Sequence, residues 1–249
     1  MNTTSTDRFI RRSQAFALVA LPASWLLMLA LHFRSLAEFF VFRPRYVEIP
    51  AEDKVPRLIA AQNHWPMIHD PHLIGYLALP LLVLAAFGLY AAGRRVHPRL
   101  ASLGISLTVI GSIFMGGIFG LMVSLTRAMG NIDPKYVDGA IATFAAVTAD
   151  TGGYGLTRRL GMLALLGIAI QALALWRAPN VPRWSPIVVT AGCALFLSFW
   201  DVDNMMFAGA VCILAGFVPI ARLLGGNGGV NSTATAASTT GTPGSSPRE

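Results

Sequence analysis

Six long apolar stretches alternate with polar loops along this chain, at residues 15–33, 73–93, 101–125, 160–176, 186–200 and 205–222. A helix rises about 1.5 Å per residue, so about 20 apolar residues cross a hydrocarbon core of about 30 Å. The second and third stretches meet that length outright. The fifth is short and needs Trp184 and Trp200 at the two interfaces to count as a span. It is read as one because the sixth follows after only Asp201, Val202 and Asp203, the turn of a helical hairpin. The pattern predicts an all-α integral membrane bundle of six transmembrane helices.

The third stretch carries an order of its own. Gly104, Thr108, Ser112, Gly116, Gly120 and Ser124 recur every four residues. Steps of four form one slanted ridge on a helix. Small side chains along it let a neighbouring backbone approach closely, so this span is expected at the centre of the bundle. A groove for a flat ligand or lipid is the alternative use of the same ridge.

The polar segments are partly structured. Residues 34–72 form a first outer loop, in which the apolar run 35–42 suits an interfacial position and Pro44, Pro50 and Pro56 divide the remainder. Asp70-Pro71 and Asp133-Pro134 each read as an N-cap followed by Pro at the first helical position. In the second outer loop, residues 126–159, Val137, Ile141, Phe144 and Thr148 recur at helical spacing, predicting an extra amphipathic helix. From Gly225 the chain is Gly, Ser, Thr and Ala with little apolar bulk, too little to pack. The expected organisation is therefore a transmembrane domain over residues 1–224 and a disordered cytoplasmic tail over 225–249.

Charge orients the bundle. Arg8, Arg11, Arg12, Arg94, Arg95, Arg99, Arg177, Arg183, Arg222 and Arg248 fall on one side if the spans alternate, against Asp7 and Glu249. The other side carries nine basic and ten acidic residues in longer loops. Basic residues in short loops mark the cytoplasmic side, which places both termini there. The net charge of +7 is then a topological signal. It forms no stripe of the kind that binds nucleic acid, and no nucleic-acid partner is expected. Arg11-Arg12 before an apolar run invites comparison with a twin-arginine signal, but the flanking residues do not continue that pattern, and an uncleaved first span is expected. Hydrophobic residues make up 54% of the chain and charged ones 12%, and Lys54 and Lys135 are its lysines. Together these point to a multi-pass protein of a bacterial plasma (inner) membrane.

Candidate chemistry concentrates in the first outer loop. His64, Met67, His69, Asp70 and His72 fall within nine residues at the mouth of the second span. Imidazole is the commonest ligand for zinc, copper and haem iron, and a thioether suits copper(I). A transition metal or haem is thus the candidate cofactor. Ordinary interfacial structure, with Asp70 as a cap, and a proton-linked role without metal are the alternatives. Asp201 and Asp203 either complete that site or cap the sixth helix. Residues 151–155, Thr-Gly-Gly-Tyr-Gly, resemble the potassium-channel filter, with Gly in place of its Val and Leu156 in place of the usual Asp. Cys193 and Cys212 read as small packing residues.

Within the spans Gln171 is the clearest polar group, and no Asp, Glu, Lys or Arg lies mid-span. Ion pumps and proton-coupled transporters usually need such groups. No nucleophile–base pair, zinc-protease, Walker or dinucleotide motif is present. Leu-Ala-Leu-Pro-Leu-Leu-Val-Leu over residues 77–84, Gly88-Leu89-Tyr90, Pro98-Arg99-Leu100 and the Gly-rich third span resemble uncharacterised bacterial six-span integral membrane proteins. That resemblance implies a membrane fold and no particular activity. The expected function is a non-catalytic small-molecule-binding or complex subunit with its site on the outer face. Its partners are the lipid bilayer and either another membrane protein or a second copy of itself. A metal- or haem-dependent redox protein and an ion-conducting channel are the alternatives.

Overall fold

A computed structural model of the chain describes residues 5–33, 39–41, 50–53, 55, 56, 59, 71–149, 152–200 and 202–226. Every long element among them is an α-helix: α1 (Ser5–Ala30), α2 (Pro71–Leu77), α3 (Leu79–Gly93), α4 (Pro98–Gly130), α5 (Val137–Thr148), α6 (Gly153–Gly161), α7 (Leu163–Leu173), α8 (Trp184–Ser198) and α9 (Asp203–Gly225). A short 3-10 turn, Pro134–Tyr136, precedes α5, and the Asp133 carboxylate accepts from the Lys135 N–H at its start.

Four of these are long and apolar enough to cross a bilayer: α1, α4, Gly153–Leu173 (α6 with α7) and α9. A fifth forms if α2 and α3, bent by 42° where they meet, count as one span. The bend falls at Ala78, just before Pro80. Proline lacks the N–H that the carbonyl four residues back would use, and its ring crowds that carbonyl, so the helix breaks there. The remaining apolar helix, α8, has 15 residues and reaches only about 22 Å, short of a hydrocarbon core. The third span runs from Pro98 to Gly130, longer at both ends than residues 101–125. Its 33 residues reach about 50 Å, so about 20 Å of it projects beyond a 30 Å core.

The helices close into a ring. α1 packs on α9, α9 on α8, α8 on α7, α7 on α4, α4 on α3, and α3 returns to α1; α3 also touches α7 across the middle. Apolar side chains fill that middle, among them Leu18, Leu21, Leu82, Leu89, Leu165, Ile168, Ile213 and Phe217. The core also takes Cys193, while Cys212 is half-buried beside Gly192. Exposed apolar residues such as Phe16, Phe87, Leu103, Ile113 and Ile187 cover the outside of the ring, as a lipid-facing surface requires.

Two contacts in the ring bring backbones together. A Cβ at Gly104 of α4 would lie 2.8 Å from the Gly167 carbonyl of α7. A Cβ at Gly192 of α8 would lie 2.6 Å from the Gly209 carbonyl of α9, and one at Gly209 would lie 2.8 Å from the Gly192 carbonyl. Helices in lipid gain little from apolar burial alone, so close van der Waals contact over small residues holds them. Pro219 inside α9 removes one ladder bond. Nearby, the Ser185 hydroxyl of α8 donates to the Gly216 carbonyl at 2.5 Å and ties the weakened helix to its neighbour.

A second, smaller apolar cluster stands apart from the ring. Leu125 and Met129, on the projecting end of α4, meet Ala140 and Phe144 of α5 and Val55 of the 50–59 segment. Ala51, Ile59, Ile132, Ile141 and Val147 pack around them. This cap covers the end of α4 that lies opposite its arginine-bearing start.

Candidate functional site

The end of α1 meets the start of α2 beside Phe119 of α4. His32, just past the end of α1, and His72, in the first turn of α2, have ring centres 5.5 Å apart at 85°. Both are half-buried. The His32 Nδ1 lies 2.9 Å from the Met28 carbonyl. A carbonyl only accepts, so Nδ1 carries the proton and the neutral ring keeps its lone pair on Nε2. A backbone carbonyl bonded to the far ring nitrogen in this way orients metal-binding histidines. His72 also leans on Phe119 of α4, with ring centres 6.4 Å apart.

Local sequence explains the convergence. Gly75, one turn after His72, sits so close to its neighbours that a Cβ would lie 2.8 Å from both the Met28 sulfur and Phe119. The missing side chain lets α2 settle between α1 and α4, which brings His72 to His32. Beside the pair runs an aromatic lip. Phe39 lies edge-on to Phe33 and to Phe207 of α9, with ring centres 5.3 Å and 5.2 Å away. The Asn204 amide donates to the Val41 carbonyl at 3.4 Å, holding the 39–41 segment against the start of α9.

Of the residues the sequence singled out at this end, His72 and Asp203 are placed. Asp203 lies in the first turn of α9, where its charge suits the helix N-terminus; Val202 holds the cap position. His64, Met67, His69, Asp70 and Asp201 lie outside the described residues. Among the described residues no group of three or more His, Cys, Asp and Glu converges. His32 was not singled out. The signal for it was topological, since with alternating spans the end of the first helix and the start of the second share one face.

The small-residue ridge divides among several neighbours. Gly104 and Thr108 face α7, Gly116 lies near Leu79 of α3, Gly120 lies near Tyr76 of α2, and Ser124 is exposed. Ser112 is buried and donates to the Val109 carbonyl of its own helix. The closest approach of α4 to α7 comes from Gly111, which is off the ridge and meets the Ala164 backbone. A polar bridge crosses this contact: the Gln171 amide donates to the Thr108 hydroxyl at 3.0 Å, and that hydroxyl donates to the Gly104 carbonyl at 2.9 Å. Both side chains are fully buried, and the Gln171 Oε1 has no partner among the described residues.

Residues 153–155 of the filter-like stretch form the first turn of α6. The Gly152 and Gly153 carbonyls accept from the Leu156 N–H and the Thr157 hydroxyl. Their carbonyls therefore point along a helix axis, and a row of carbonyls lining a pore is not built here.

No protein-family model, curated protein or solved structure matches this chain.

Proposed function

We propose that this chain is a plasma-membrane binding protein of six spans, with α2–α3 as one bent span, α8 as a short one and both termini in the cytoplasm. Its site lies on the outer face, beside Phe119 of α4, and takes a transition-metal ion, free or as haem iron. The observation that carries this reading is the His32–His72 pair. Two imidazoles bound about 2.0 Å from one tetrahedral ion have ring centres roughly 5 Å apart, close to the 5.5 Å found here. The Met28 carbonyl holds one ring in the tautomer a ligand needs. His69 and Met67 precede His72 in sequence by three and five residues and are residue types such an ion takes as ligands.

The role assigned to the pair is binding of the ion. Elemental analysis and an ultraviolet-visible spectrum of protein purified in mild detergent test it, beside the H32A/H72A variant. Stoichiometric copper, zinc or iron that disappears in the variant is expected, and a Soret band separates haem from a free ion. Metal-free protein that takes up none of these ions on addition would refute the reading.

A further inference from the structure

We propose that the arginine-bearing end of the bundle holds the headgroup of an anionic phospholipid, in a socket made by Arg94, Arg95, Arg99 and Arg177 with Trp176 beside it. Three chain segments converge there. A Cβ at Gly93, the last residue of α3, would lie 3.3 Å from the Ala174 Cβ beyond α7 and 3.5 Å from the Ala101 Cβ in α4. Arg94 and Arg95 directly follow Gly93, Arg99 lies two residues before Ala101, and Arg177 lies three after Ala174. All four arginines are exposed. Among the described residues none of the four is ion-paired, and Asp7 on α1 is the one carboxylate at this end.

Guanidinium groups gathered at one end of the bundle without counter-charge repel one another, and an anion seated among them relieves that. A phosphodiester matches the guanidinium fork, accepting two parallel N–H bonds from one arginine. The surroundings favour a lipid phosphate over a dissolved one. Trp176 is 40% exposed, at the level where tryptophan meets headgroups. Leu103, one turn beyond Arg99, is 51% exposed and offers apolar surface to the acyl chains. Basic pockets between transmembrane helices bind anionic headgroups by this combination.

Native mass spectrometry of the full chain tests the proposal, with the protein released from detergent containing equal phosphatidylglycerol and phosphatidylcholine. The expected result is at least tenfold preference for the anionic lipid, unchanged by millimolar inorganic phosphate. R94Q/R95Q/R177Q should abolish the preference, the exposed cap variant R127Q should keep it, and R94K/R95K/R177K should weaken it only partly. R177Q alone is read if the triple variant does not fold, with a loss of threefold or more expected. Equal retention of the two lipids, full competition by phosphate, or a glutamine variant that behaves as the native chain would each overturn the proposal.

Discussion

Thr108 and Gln171 show how a single polar contact behaves inside this bundle. Thr108 satisfies its own hydrogen through the Gly104 carbonyl, so it does not depend on Gln171. Gln171 depends on Thr108, because its other amide atom is buried and unpaired. The two truncations should therefore be unequal. Thr108→Ala strands a fully buried amide and should destabilise by about 1–2 kcal/mol. Gln171→Met removes the larger polar group yet leaves nothing unsatisfied, and should cost less. Unfolding in mixed micelles of rising denaturing detergent ranks the two. An equal or reversed order would mean that the bridge is not organised this way.

The helices record where sequence patterns suffice and where they do not. Apolar runs located the membrane-capable helices because hydrophobic length is a property of the chain itself. The break at Ala78 has a visible cause in Pro80, but neighbouring helices often straighten or tolerate such a proline, so the pattern alone does not decide. The extra length of α4 was illegible for another reason. The end of α4 continues past residue 125 because Leu125 and Met129 are buried against α5. A run of small residues marked α4 as a packing helix but not its partner surface, since Gly111 meets α7 while Ser124 is exposed. Glycines should divide accordingly. Gly167→Ala pushes a Cβ into the Gly104 carbonyl and the Thr108 hydroxyl, and should lower thermal stability markedly. Gly139→Ala in α5 meets nothing within 4 Å and should stabilise by about 0.5–1 kcal/mol through helix propensity. Thermal unfolding of the two variants separates them by sign.

At the scale of the molecule, the described residues form two apolar cores. The ring core combines close backbone contact with apolar filling. The cap core, centred on the fully buried Phe144, packs on the far end of α4. Phe144→Ala should accordingly cost about 3–5 kcal/mol within the cap. Hydrogen exchange should then accelerate across α5 and the end of α4 while α7 to α9 stay protected. Uniform acceleration throughout would show that the cores are one cooperative unit. The candidate site, at the junction of α1, α2 and α4, was only half legible. His72 belongs to a conspicuous cluster, whereas His32 stands alone in sequence and reaches the site because α2 packs on both α1 and α4.

His32 therefore offers the most direct test. The affinity of the purified protein for copper or zinc ions, measured against a competing chelator, should fall at least tenfold in H32A while its helical content and unfolding midpoint hold. An unchanged affinity in H32A would contradict a site built on the His32–His72 pair.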